Sequence, residues 1–132
     1  MASGLPFFLL VLCCLTRIGA QLKVFDLRAS NLPSDILGIT DGYVKVFSGS
    51  VSLGMTAVRN NDANPWWDEV FFHSEAQENE ILTLEVHDRD LVFDDLLGVC
   101  KTQIKIGTHQ HDCLLEEGGN LHFAYTLNGN GQ

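Results

Sequence analysis

Basic side chains are scarce in this chain, with 8 Lys and Arg against 17 Asp and Glu among 132 residues. A surface this acidic repels phosphate backbones, so nucleic acid is excluded as a partner, and anionic membranes are out of reach unless a cation intervenes. There is no internal repeat, no low-complexity linker and no second long hydrophobic span after the first residues. That leaves room for one compact domain. No Asn-X-Ser/Thr acceptor occurs, so N-linked glycosylation is not expected. The chain also has no glycine-flanked serine of the nucleophile-elbow kind, no glycine loop to cradle phosphates and no free nucleophilic cysteine, so it does not read as an enzyme.

The apolar stretch at residues 5–15 is too short to span a bilayer, and Ile18-Gly19-Ala20 places small residues before Gln21. Residues 1–20 therefore read as a secretory signal peptide, which makes the protein secreted and extracellular. Cleavage would leave 112 of the 132 residues, and loss of Arg17 would leave 7 basic residues against 17 acids, a charge near −10. Of 4 cysteines, Cys13 and Cys14 depart with the signal, and only Cys100 and Cys113 remain. In an oxidising compartment such a pair most simply forms one disulfide, and two separate buried thiols are the alternative.

From Leu22 onward, alternating and β-branched patterns dominate and no helical period is sustained. Strands are expected at 22–27, 42–47, 53–59, 67–73, 81–87, 97–106, 113–116 and 121–127. Eight short antiparallel strands in so small a domain make an all-β sandwich over residues 21–127, with residues 128–132 as a flexible tail. Asn60-Asn61-Asp62-Ala63-Asn64-Pro65 is the clearest turn-forming cluster. His109, His111 and Cys113 alternate as if sharing one strand face. A disulfide at Cys113 would remove the best transition-metal ligand, and no fourth ligand is evident.

The chemistry concentrates in Asp88-Arg89-Asp90-Leu91-Val92-Phe93-Asp94-Asp95, four carboxylates around an apolar wedge. Carboxylates this dense repel one another unless a hard cation joins them, and calcium takes about six to eight oxygen ligands. Upstream, Asp35 and Asp41 bracket a loop carrying Ile36 and Leu37, so two loops share acids at the base and bulky apolar residues at the tip. Leu91, Val92 and Phe93 with Ile36 and Leu37 are candidate membrane contacts, because exposed apolar tips are costly unless they meet lipid or a partner. Folding back onto the core is the alternative for these tips. Trp67 is expected in the core, with Trp66 on the opposite face of its strand.

The runs Asp35-x-x-Gly38-x-Thr40-Asp41-x-Tyr43-Val44-Lys45-Val46, Asn64-Pro65-x-Trp67-x-Glu69-x-Phe71, Val86-x-Asp88-x-Asp90 and Asp94-Asp95-Leu96-Leu97-Gly98 resemble, in order, the successive signatures of C2 domains. Within that family, Asp94 to Cys100, the later Cys113 and the closing Leu121-x-Phe123-x-Tyr125 are most similar to the carboxy-terminal domain of perforin, without its pore-forming module. The resemblance implies an eight-stranded antiparallel sandwich in which Asp35, Asp41, Asp88, Asp90 and Asp95 ligate calcium. This acidic loop is shorter than is usual in the family, so Asp94 joins the candidate metal set and either Asp94 or Asp95 would be a ligand of a second ion or merely solvated. The implied partner is a phospholipid membrane in the presence of calcium, met peripherally by a monomer, and the perforin likeness alone suggests an immune setting. The competing reading is a calcium-stiffened extracellular module that docks on a receptor or pore-forming protein.

Overall fold

A computed structural model describes residues 19–36 and 38–129. Most of the expected signal peptide, Leu37 and the last residues of the tail lie outside the described residues, as does the side chain of Asp35. Among the described residues there are strands and no helix: β1 (Ala20–Ser30), β2 (Ser34–Asp35), β3 (Gly38–Ile39), β4 (Gly42–Ser48), β5 (Val51–Met55), β6 (Trp66–Trp67), β7 (Phe71–Ala76), β8 (Ile81–Asp88), β9 (Asp95–Gln103), β10 (Gly107–Leu114) and β11 (Asn120–Asn128).

One sheet runs β10-β11-β1 and is completed by β6 and β7, which both pair with the same side of β1, through Leu27↔Trp67 and Val24↔Phe71. These two pieces occupy a single strand position interrupted at residues 68–70. The second sheet runs β5-β4-β8-β9, and β2 with β3 forms a small separate hairpin. Two layers of four antiparallel strand positions thus make the eight-stranded sandwich expected from the sequence. Alternation builds the core: Leu22, Val24 and Leu27 of β1, Val44 and Val46 of β4, Leu82, Leu84 and Val86 of β8, and Leu121, Phe123, Tyr125 and Leu127 of β11 face inward and are buried. Full burial of each large side chain contributes about 1.5–3 kcal/mol before the entropy of ordering is subtracted.

Three strands are placed differently from expectation, beyond shifts of up to three residues at the ends of the others. The strand expected at 67–73 is the interrupted pair β6 and β7, and the one expected at 53–59 covers Val51–Met55, followed by an isolated bridge between Arg59 and Gly42. The strand expected at 113–116 lies instead at Gly107–Leu114. Its inward positions include His109 and His111, which pack on Tyr125 and Phe123 with ring centroids 5.0 and 5.3 Å apart. Aromatic packing supplies there the burial that hydropathy alone does not reveal.

Cys100 of β9 and Cys113 of β10 form a disulfide with a Cα separation of 6.0 Å, tying an edge strand of one sheet to an edge strand of the other. The ends of β1 and β11 pair through Gln21↔Asn128 at one pole of the sandwich, which also holds the β4–β5, β7–β8 and β9–β10 turns. The loops after β1, β5, β8 and β10 gather at the other pole. Backbone hydrogen bonds there link Leu32 to Ala63, Asp62 to Thr40, Arg89 to Asp41 and Glu117 to Leu97.

Candidate metal centre and its apolar rim

Strand register assembles the acids. Gly42 pairs with Asp88 and Asp88 with Asp95, so Asp41, Asp88 and Asp95 stand at neighbouring ends of β4, β8 and β9. The Asp41 amide donates to Asp88 Oδ1 at 2.9 Å, the Arg89 amide donates to the Asp41 carbonyl at 2.8 Å, and the Asn61 amide donates to Asp41 Oδ1 at 2.7 Å. Backbone amides from two other loops therefore orient these two carboxylates. Asp90 and Asp94 lie farther out in the β8–β9 loop, where the Leu91 amide donates to Asp90 Oδ1 and the Asp90 amide to Asp94 Oδ1, at 2.7 and 3.1 Å. Asp35 enters through β2, whose backbone pairs with Gly38.

Asp94 Oδ2 accepts a short hydrogen bond from the Tyr43 hydroxyl. This bond, and then the one from the Asp90 amide, hold the Asp94 carboxyl below its usual range. Burial, reinforced by Asp94, pushes the Tyr43 phenol up to about 12, so it remains a donor at neutral pH. The Tyr43 ring stacks on His87 at 5.3 Å, and His87 Nε2 lies 3.0 Å from Glu85 Oε1.

A cavity of about 370 Å³ opens beside the strand ends, lined by Thr40, Asp88, Asp95 and Glu117 together with Pro33 and Leu96. Glu117 is a carboxylate that sequence reasoning missed. It arrives on the β10–β11 loop, and its only sequence signal was the glycine pair Gly118-Gly119, which marks a turn without saying where the turn lands. Among the described residues, no three His, Cys, Asp or Glu side chains are already gathered around one point. The donor set is nevertheless all hard oxygen, which fits calcium and does not suit thiophilic metals.

The apolar tips face solvent. Ile36 is 102% exposed, Leu91 99%, Val92 79% and Phe93 78%, and Ile39 and Leu96 nearby are also exposed. None of these four folds back onto the core. Trp67 is buried, with its indole N–H 3.3 Å from the Gly42 carbonyl, whereas Trp66 is exposed beneath the Arg28 guanidinium at 5.0 Å.

A family model described as C2 domain matches residues 20–119. The chain belongs to the C2 domain family. This C2 domain is 34% identical over 119 residues to Perforin-1 of Rattus norvegicus, covering 88% of this chain and 21% of that protein. It is 34% identical over 83 residues to a protein of Arabidopsis thaliana named Calcium-dependent lipid-binding protein, covering 61% of this chain and 16% of that one. It is similar to a solved structure described as "Structure of a C2 domain", with a TM-score of 0.82 and 64% identity over 83% of this chain and 99% of the other. The chain thus spans about a fifth of the length of the perforin it matches.

Proposed function

We propose that this C2 domain is a secreted, calcium-dependent phospholipid-binding module and not an enzyme. The observation that carries the proposal is the solvent-exposed Leu91-Val92-Phe93 tip, with Ile36 on a neighbouring loop, rising at the same pole as Asp41, Asp88 and Asp95. Asp35, Asp41, Asp88, Asp90 and Asp95 would hold calcium, with Glu117 facing the adjoining cavity. When bound there, calcium supplies positive charge and open coordination positions for lipid phosphate oxygens. The carboxylates' repulsion from an anionic surface is then removed, and Ile36, Leu37, Leu91, Val92 and Phe93 enter the interface. The disulfide and the apolar residues 5–15 support an extracellular setting.

The test is co-sedimentation with phosphatidylserine/phosphatidylcholine vesicles in calcium and in chelator. Binding in calcium alone is expected, and equal binding in both conditions overturns the proposal. Calcium that raises the melting temperature without any vesicle binding would favour a protein-docking module instead.

A further inference from the structure

Two adjacent aspartates in the acidic loop have different surroundings. Asp95 begins β9 and lines the cavity with Asp88 and Thr40. Asp94, one residue earlier, turns both of its oxygens toward protein donors, the Tyr43 hydroxyl on Oδ2 and the Asp90 amide on Oδ1. Tyr43 suits the task of holding it. Its neighbour Val44 points into the core, so Tyr43 lies on the other face of β4, where its ring is covered and stacks on His87 with an interplanar angle of 15°. A ring so confined has little rotamer freedom left to lose when its hydroxyl donates.

We infer that Tyr43 is a positioning residue for the acidic loop, and that Asp94, the side chain it holds, is a strut of that loop and not a metal ligand. This rests on the calcium-binding reading for its second half only. The Asp94 carboxylate closes the base of the segment from Asp90 to Asp94, and the Leu91-Val92-Phe93 tip is suspended between these two residues. Without the tie, the three apolar side chains lose the frame that keeps them outward, and Asp90 and Asp95 lose their fixed spacing. The paired acids therefore divide the work: the first fixes the loop, and the second faces the ion.

The test compares Tyr43→Phe, Asp94→Asn, Asp94→Ala and Asp95→Asn in the whole chain, by amide hydrogen exchange of residues 89–95 in chelator and by calorimetric calcium titration. Melting curves confirm folding. Tyr43→Phe keeps the ring packing, and it is expected to speed exchange in the loop and weaken calcium binding about three- to tenfold, the worth of one hydrogen bond. Asp94→Ala should speed exchange likewise. Asp94→Asn keeps one acceptor oxygen, enough for Tyr43 or for the Asp90 amide but not for both, so it should speed loop exchange and weaken calcium binding no more than Tyr43→Phe does, whereas Asp95→Asn should lower calcium affinity about tenfold or more with loop exchange unchanged. Loop exchange unchanged in both Tyr43→Phe and Asp94→Ala would overturn the positioning role. Equal losses of calcium affinity in Asp94→Asn and Asp95→Asn, with loop exchange intact, would make Asp94 a ligand. If the wild type gives no calcium signal, the calcium reading fails, yet the exchange comparison still decides the role of Tyr43.

Discussion

Replacing Phe93 with alanine separates membrane affinity from calcium affinity. Phe93 is 78% exposed and takes no part in the core, so its removal should leave folding within about 0.5 kcal/mol of the wild type. In lipid the same side chain would be covered, and burying a group of this size contributes about 1.5–3 kcal/mol when complete. Allowing for insertion that is only partial, a loss of about 1.5–2 kcal/mol is expected, or roughly 10- to 30-fold in vesicle affinity. Calcium affinity measured without lipid should not change, because Phe93 supplies no oxygen to the carboxylate set. The assay is a vesicle titration at saturating calcium, followed by surface plasmon resonance or sedimentation, with calorimetric calcium titration as the control. Vesicle affinity within about twofold of wild type, with calcium binding intact, would refute the reasoning, since a contact worth more than 1 kcal/mol cannot vanish so quietly.

Two further outcomes concern stability. Replacing Cys100 and Cys113 together with alanine opens a cross-link over a sequence separation of 13, for which chain entropy predicts a loss of about 3 kcal/mol. That corresponds to a melting temperature lower by roughly 10 °C, and a shift of under about 3 °C would show that packing alone holds β9 against β10. His111 is held below its usual 6.5 by burial first and by the nearby His109 second, and its Nε2 lies buried without a hydrogen-bond partner. The folded chain thus takes up a proton on His111 less readily than the unfolded chain does, so stability from this residue is fully present above 6.5 and declines progressively as pH falls below it. Thermal melts from about pH 8 to pH 5 should show this decline, less steep in His111→Phe; equal slopes in the two proteins would contradict it.

Much of the architecture was legible because apolar alternation in β1, β4, β8 and β11 coincides with burial. β10 was misplaced because its inward face carries His109 and His111, whose packing depends on aromatic partners across the sheet. The interruption between β6 and β7 was hidden because Trp67 and Phe71 both face the core, so the hydrophobic pattern runs through residues that leave the ladder. At the site, the density of Asp88, Asp90, Asp94 and Asp95 pointed to one loop, and Asp35 and Asp41 bracketing Ile36 and Leu37 supplied the second. Glu117 and the hydroxyl of Tyr43 could not be read this way, since each reaches the acids through a fold contact between distant segments. The exposure of Leu91, Val92 and Phe93 follows from the same geometry: Asp90 and Asp94 hydrogen-bond to one another at the base of the tip and leave nothing beneath it to cover.

The pairing of Gln21 with Asn128 puts both ends of the domain at the pole opposite the acidic loops. Geometrically this makes the domain a plug with a handle. Any polypeptide joined at either end would leave from the far side, about the length of a strand away from the lipid-facing rim, with no steric conflict at the rim itself. A fluorescent reporter or a surface tether placed after Asn128 should therefore leave vesicle binding untouched, while insertion of the same group between Val92 and Phe93 should block it.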